Sequence, residues 1–155
     1  MLKGKTAVIT GGSRGIGADI ARVFAQNGAN VAIVYAGNAT MAENIAGEAI
    51  QSGVIAKSYC CDVSNFNDTK NLTEKIIDDF GGIDILVNNA GIVRDGLILS
   101  MSEDDFDNVI SVNLKGAFNM IKHTYRHFMK KRAGRIINIS SVVGLSGNAG
   151  QVNYS

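Results

Sequence analysis

The chain has 155 residues, of which 46% are hydrophobic and 19% charged, enough to bury the core of one globular domain. Its formal net charge of +1 argues against a nucleic-acid-binding protein held by a broad basic surface. No apolar run is long enough to span a bilayer, and the first one ends too early for a signal peptide. We therefore expect one cytoplasmic domain that binds neither nucleic acid nor membrane.

Short β-branched segments alternate with longer stretches of helical period along the chain. The predicted strands are Thr6–Thr10, Val31–Tyr35, Val54–Cys60, Ile83–Val87 and Arg135–Ser140. Because several of them contain runs that are mostly apolar rather than alternating, we expect helices on both faces of a central parallel sheet. The predicted fold class is α/β, a Rossmann-type doubly wound parallel sheet that occupies residues 1–155 as a single domain.

A long helical region is predicted from Ser102 to about Arg132. Ser102 precedes three acidic residues, which suit the positive end of a helix dipole. Lys130, Lys131 and Arg132 suit the negative end, and Gly134 is expected to terminate the helix.

Neither the cysteines nor the histidines predict a metal site. Cys60 and Cys61 are adjacent, so in a strand they project to opposite faces and make poor disulfide partners or metal ligands. His123 and His127 share one helical face, but the glutamate of the metalloprotease pattern is absent. We expect a reducing environment, a surface histidine pair and no bound metal.

A glycine-rich turn follows the first predicted strand and precedes a helical segment. Glycines let a backbone turn tightly and approach a pyrophosphate, whose charge is attracted by the helix N-terminus. Such a turn can also need glycine for steric reasons alone, and its place on the first strand is what favours a dinucleotide. The predicted phosphate-binding residues are Gly11, Gly12, Ser13, Arg14, Gly15, Ile16 and Gly17.

The residues after the second strand bear on the choice of cofactor. An acid about twenty residues past the glycines would bind the adenosine ribose and repel a 2′-phosphate, but none occurs between Tyr35 and Glu43. Arg14 can supply a complementary positive charge, and Asn38 lies at the end of the strand. We predict NADP(H) rather than NAD(H); the alternative is that Arg14 is only a solvated surface charge.

Taken together, several motifs make the whole chain resemble the short-chain dehydrogenases/reductases. These are Thr10-Gly11-x-x-x-Gly15-Ile16-Gly17, Asp62-Val63, Asn88-Asn89-Ala90-Gly91, Asn113, Ser141 and Tyr154. Within the family, the segments 88–95, 130–144 and 147–154 are most similar to the ketoreductases that reduce 3-oxoacyl groups on acyl carrier protein in fatty-acid synthesis. Acetoacetyl-CoA reductases and other carbonyl reductases share much of this pattern.

The resemblance implies further cofactor contacts. Asp62 would accept a hydrogen bond from the adenine amino group, and Val63 would lie beside the ring. Ile139 would line the nicotinamide side. The floor under the cofactor would be formed by Asn88, Asn89, Ala90 and Gly91, although asparagines after a strand also serve turns.

The resemblance also implies the catalytic groups. Tyr154 would donate the proton and contact the cofactor, Ser141 would hydrogen-bond the carbonyl oxygen, and Asn113 would hold a water in a proton relay. In this family a lysine four residues after the tyrosine lowers its pKa. The printed sequence ends at Ser155, so we expect the N-terminal part of a longer reductase that lacks the C-terminal strands and helices and is inactive alone.

Partners follow from the same resemblance. Arg132 and Lys131 would dock acyl carrier protein, although the helix dipole is a sufficient reason for basic residues there. The full-length protein is expected to form a homotetramer. A nucleotide-binding module without catalysis is the alternative of another class, and the presence of Ser141 and Tyr154 argues against it.

Overall fold

A computed structural model describes residues 1–155 and contains one parallel sheet of five strands. The strand order is β3-β2-β1-β4-β5, and every neighbouring pair is parallel. The strands are β1 (Thr6–Thr10), β2 (Asn30–Tyr35), β3 (Ala56–Cys60), β4 (Ile85–Asn88) and β5 (Arg135–Asn138). All five lie within a residue or two of the predicted segments, so the α/β sheet is confirmed.

Helices fill the gaps between the strands. They are α1 (Gly15–Gln26), α2 (Ala39–Gln51), α3 (Phe66–Phe80), α4 (Glu103–Val109), α5 (Gly116–Lys131) and the short α6 (Val143–Ser146). A π-helical segment, Ile110–Lys115, joins α4 to α5, so the long predicted helix is continuous but contains a wider turn. No helix combines the length and the apolar character needed to cross a bilayer.

The strands bury alternate side chains on opposite faces of the sheet. On one face Ile9 and Ile33 belong to a cluster with α1 and α2. On the other face Val8 and Leu86 belong to a second cluster, which includes residues of α3 and α5. Because helices cover both faces, the three central strands β1, β2 and β4 are mostly apolar and almost fully buried, and the doubly wound arrangement is confirmed.

The long helical region begins at a residue predicted from the sequence and ends at one that was not predicted. Ser102 caps α4, as predicted, and the structure adds that Asp105 completes a capping box with it. At the other end, the prediction that Gly134 terminates α5 is wrong: Arg132 is the cap residue, in the left-handed region at φ 53°. Gly134 is needed because a Cβ there would collide with the ring of Phe128.

β5 forms an exposed edge of the sheet. All of its residues are exposed, and Ile136 and Ile137 retain 39% and 40% of their accessible surface. An edge with apolar side chains and free backbone groups favours pairing with another strand.

Candidate cofactor and active site

The candidate site lies where the direction of chain winding reverses. β1 is at the centre of the sheet, with β2 and β3 added on one side and β4 and β5 on the other. In doubly wound sheets the carboxyl ends of the two strands at such a switch point border a ligand-binding crevice. Here the glycine-rich turn follows β1, and Asn88 ends β4, so two of the predicted motifs border the same crevice.

The glycines of the turn do different things. A Cβ on Gly11 would lie 2.9 Å from Cα of Ala90, and a Cβ on Gly17 would collide with the carbonyl oxygen of Gly11, so these two satisfy packing. Gly15 differs, because it has φ +53° and nothing lies within 4 Å of its Cβ position. Its absent side chain leaves open the approach to the turn, as a dinucleotide cradle requires.

The N-terminus of α1 has unused hydrogen-bond donors. Its cap residue, Arg14, makes no side-chain capping bond, and the first turn has no acidic residue. By contrast, α2, α3 and α4 are capped by Asn38, Asn65 and Ser102. The first amides of α1 are thus available to an anion, and the turn fits the pyrophosphate of a dinucleotide.

Thr10 and Asn89 join the two sides of the crevice. Thr10 Oγ1 accepts hydrogen bonds from the backbone N–H groups of Asn89 and Ala90, both at 3.0 Å. Asn89 Nδ2 in turn donates to the carbonyl oxygens of Thr10 and Gly11, at 3.0 and 3.3 Å. Thr10 belongs to the glycine-turn motif, but this role has no signal in the sequence and is visible only once β1 and β4 are neighbours.

Asn88 connects β4 with β5. Its Nδ2 donates to Oδ1 of Asn138 at 2.9 Å, and the two residues are directly paired in the strand register. The backbone N–H of Ile139 donates to the Asn88 carbonyl oxygen at 2.9 Å, which extends this pairing past β5. Ile139 itself is 40% exposed, so its side chain is accessible to a ligand.

The turn after β3 contains the predicted adenine contacts. Asp62 Oδ1 accepts from the N–H and the hydroxyl of Ser64, at 2.9 and 2.8 Å, and the residue is exposed. Val63 is buried beside Gly116, where a Cβ would lie 2.6 Å from Val63 Cγ2. Asn119, which no sequence motif singles out, donates to the carbonyl oxygens of Val63 and Ser64 at 2.9 and 3.2 Å.

The end of β2 lacks a negative charge. Asn38 is exposed, and its Oδ1 accepts from the N–H of Met41 at 3.0 Å, so it has a capping role of its own. Arg14 is exposed and takes part in none of the ion pairs of the structure. The guanidinium group is free to bind an anionic ligand.

Asn113 lies in the π-helical segment and faces the backbone that follows β4. Its Oδ1 accepts from the N–H of Ile92 at 2.8 Å, and its Nδ2 donates to the Ile92 carbonyl oxygen at 3.0 Å. The same side chain borders Gly91, where a Cβ would lie 3.4 Å from Oδ1. Asn113 is therefore tied to the edge of the crevice.

Ser141 and Tyr154 come from the region after β5. Ser141 Oγ accepts from the N–H of Val143 at 3.2 Å, and because a hydroxyl also donates, its proton stays available. Tyr154 is half-buried, and its loop is hydrogen-bonded to the segment after β4 through Asn153 and Arg94. No hydrogen bond joins the side chains of Ser141 and Tyr154 directly.

The basic residues at the end of α5 are not equivalent. Lys131 Nζ lies 2.7 Å from Oδ1 of Asp84, whose other oxygen accepts the N–H of Thr6 at 2.9 Å. Burial opposes ionisation of Asp84, but these hydrogen bonds prevail and hold its pKa below the ordinary value. Lys131 thus has a structural partner, whereas Arg132 is exposed and makes no ion pair.

The histidines have separate partners rather than forming a free surface pair. His127 Nε2 accepts the backbone N–H of Ile83 at 3.1 Å, and His123 Nε2 lies 3.0 Å from the carbonyl oxygen of Phe66. Both side chains are half-buried. The two rings stay partly exposed at the surface, and α5 packs each of them against the backbone of a neighbouring element.

Comparison with known proteins places this geometry in a family. Residues 5–155 match the family described as short chain dehydrogenase. The chain is 45% identical over 150 residues to 3-oxoacyl-[acyl-carrier-protein] reductase FabG of Staphylococcus aureus, covering 97% of this chain and 61% of that protein. It is 44% identical over 154 residues to the reductase of the same name from Vibrio cholerae, covering 99% and 62%.

A solved structure supports the same assignment. The crystal structure of NAD+-bound xylitol dehydrogenase superposes with a TM-score of 0.95 at 31% identity, covering 99% of this chain and 59% of that one. The chain spans about three-fifths of the length of these relatives. With its family match, its parallel sheet and its crevice motifs, the chain belongs to the short-chain dehydrogenase family.

Proposed function

We propose that this chain contributes the cofactor site and the proton-donating groups of an NADPH-dependent 3-oxoacyl-acyl-carrier-protein reductase. The observation that carries the proposal is the 45% identity to such reductases across 97% of the chain. The family match over residues 5–155 includes Asn113, Ser141 and Tyr154. The open Gly15 and the uncapped α1 provide a binding site of the kind that this activity needs.

Reduction of a 3-oxoacyl group adds hydride to the carbonyl carbon and a proton to its oxygen. A bound nicotinamide cofactor supplies the hydride. The hydroxyl of Tyr154 donates the proton as negative charge develops on the oxygen, and the Ser141 hydroxyl hydrogen-bonds that oxygen. Asn113 fixes the backbone at Ile92 and has the relay role that the family assigns to its position.

The preference for NADP(H) rests on charge at the end of β2. An adenosine 2′-phosphate meets no acid there, and the free guanidinium of Arg14 provides a donor that pairs well with phosphate. Asn38 and Asp62 bind the adenosine half of the cofactor. The NAD+ in the similar xylitol dehydrogenase belongs to a protein only 31% identical, so it does not decide the preference of this chain.

Acyl carrier protein is the proposed carrier of the substrate. Arg132 is the better docking residue, because its guanidinium is free, whereas the ammonium of Lys131 is paired with Asp84. A homotetramer in the cytoplasm completes the proposal.

The test uses the protein in its full natural length. Oxidation of NADPH is followed with acetoacetyl-acyl-carrier-protein, acetoacetyl-CoA and a sugar ketone, beside the variants Tyr154→Phe and Ser141→Ala. We expect the carrier-linked substrate to have the highest kcat/KM, and each variant to lose about 100-fold or more in kcat. A preference for the ketose would move the activity elsewhere in the family, and tight NADPH binding without any turnover would favour a non-catalytic module.

A further inference from the structure

Asn153, the residue immediately before Tyr154, is a buried side chain on a largely exposed loop. It is 5% exposed, whereas Val152 is 51% exposed. Its Nδ2 donates to the carbonyl oxygen of Arg94 at 2.9 Å and to that of Asp105 at 3.2 Å. Both amide hydrogens therefore hold backbone outside the loop, one acceptor after β4 and one in the first turn of α4.

The segment that receives Asn153 is bound to the same loop at three consecutive residues. We name residues 92–96 the strap. Besides the Arg94 contact, the N–H of Gly96 donates to the Gly150 carbonyl oxygen at 2.8 Å, and Gln151 Nε2 donates to Oδ1 of Asp95 at 3.0 Å. The strap thus fixes the loop just before Tyr154.

The other end of the strap is held by Asn113. The two hydrogen bonds between this side chain and the backbone of Ile92 fix the strap to the π-helical segment. From Asn113 to Tyr154 the connection runs through the strap and Asn153, with a hydrogen bond at each junction. Residues distant in sequence are therefore linked through one short piece of backbone.

We propose that Asn153 is a positioning residue for Tyr154, setting the place of the phenol relative to the crevice through the strap. The inference rests on the proposed reductase function, in which Tyr154 donates a proton to the carbonyl oxygen of the substrate. Asn153 touches neither the substrate nor the cofactor in this scheme. Its effect is on geometry, and small errors of geometry at a reacting group are costly to rate.

Asn119 offers a matched control. It is fully buried, its Nδ2 also donates to two backbone carbonyl oxygens, and its Oδ1 also lacks a partner, as does Oδ1 of Asn153. The two asparagines differ in what they hold: Asn119 holds Val63 and Ser64 on the adenine side, and Asn153 holds the strap. Removing either amide deletes two hydrogen bonds to backbone carbonyl oxygens, so a general loss of stability would be common to both variants.

The test combines tyrosine NMR with kinetics. Labelling the full-length protein with ε-13C tyrosine gives a ring signal for each tyrosine, and the signal that disappears in Tyr154→Phe is the one from Tyr154. Asn153→Ala is expected to shift or broaden that signal, and Asn119→Ala to leave it in place. In the full-length reductase we expect Asn153→Ala to lower kcat about 100-fold with the KM for NADPH within about threefold, and Asn119→Ala to raise mainly that KM.

A surface variant covers the case in which Asn153→Ala does not fold. Gln151 is only half-buried, and Gln151→Glu replaces its hydrogen bond to Asp95 by repulsion between two carboxylates. Because this breaks one contact between the loop and the strap, we expect the Tyr154 signal to move. An unmoved Tyr154 signal in the strap variants, or equal effects of Asn153→Ala and Asn119→Ala, would overturn the positioning role. If the wild-type protein reduces no 3-oxoacyl thioester, the proposed function fails, and the NMR comparison still decides the role of Asn153.

Discussion

Thr10 and Asn89 bind each other at two points: the Thr10 hydroxyl accepts the Asn89 N–H, and the Asn89 amide donates to the Thr10 carbonyl oxygen, both at 3.0 Å. One residue ends β1 and the other follows β4, so the pair joins the two strands that border the crevice. At this point the two sides of the crevice are held together by side chains as well as by strand pairing.

The variant Thr10→Val tests this connection. Valine keeps the shape but leaves the N–H groups of Asn89 and Ala90 without their acceptor, so we expect a loss of about 2 kcal/mol in unfolding free energy. We also expect NADPH to bind about 10-fold more weakly in a fluorescence titration, a change of about 1.4 kcal/mol. Thr73→Val is the control, because the buried Thr73 hydroxyl donates only within its own helix, at 2.8 Å. Equal cofactor affinity in the two variants would show that the Thr10 contact does not shape the site.

Gly15 and Gly53 form a second matched pair. Both have positive φ, +53° and +81°, and neither has an atom within 4 Å of its Cβ position. Alanine at either position should cost about 1 kcal/mol through backbone strain. Only Gly15→Ala is expected to weaken cofactor binding, by about 10-fold or more, because its methyl group enters the approach to the phosphate turn. Denaturant unfolding and cofactor titration of both variants separate strain from obstruction, and similar affinities would mean that the cofactor does not approach over Gly15.

The charge at the end of β2 predicts a change of cofactor preference. Asn38→Asp preserves a good helix cap while adding a carboxylate, so the fold should be retained. We expect it to lower kcat/KM for NADPH and raise that for NADH, and Arg14→Leu to lower the NADPH value about 10-fold with little change for NADH. Arg126→Leu removes another exposed arginine as a control. A wild-type preference for NADH would contradict the assignment before any variant is made.

Asp84 predicts a specific dependence of stability on pH. Since its pKa is depressed in the folded state, its contribution is complete above the unfolded pKa of about 3.9 and is lost as the pH falls through the folded pKa. Lys131→Met should lower the unfolding free energy by about 1 kcal/mol at pH 7 and should lose less than the wild type on acidification below about pH 4. Urea unfolding across that range measures both effects. Lys130→Met, on the adjacent exposed residue, should follow the wild-type curve, and the same flattening there would exclude the Asp84 pair as its cause.

The sheet and the glycine turn could be predicted because their signals are local. A buried parallel strand is an apolar run, and a phosphate turn places glycines at fixed spacing after the first of them. The contacts of Asn119 and Asn153 have no such signal, since each joins segments about 50 to 60 residues apart. From sequence alone a single asparagine is expected in a turn or at the surface. The carbonyl oxygens that accept its hydrogen bonds are known only from the fold.

The helix terminus shows a different limit. The residue that ends a helix in the left-handed conformation is usually glycine, and Gly134 is the first glycine after α5. In the structure, however, Arg132 adopts that conformation. Glycine is needed at position 134 because a Cβ there would collide with the ring of Phe128. That contact depends on how the chain turns back after α5. The sequence pattern predicts the end of the helix to within a few residues, but the residue that ends it is Arg132 and not Gly134.

The π-helical segment between α4 and α5 changes the direction in which the side chains before it point relative to those of α5. A π turn accommodates one more residue than an α turn, and each residue of an α-helix rotates the next side chain by about 100°. Deleting Leu114 or Lys115, which lie between Asn113 and α5, would restore regular α-helix and swing Asn113 away from Ile92, while Phe128 and Asn119 keep their places in the core. One inserted residue therefore sets the direction in which an amide on a core-packed helix faces the crevice.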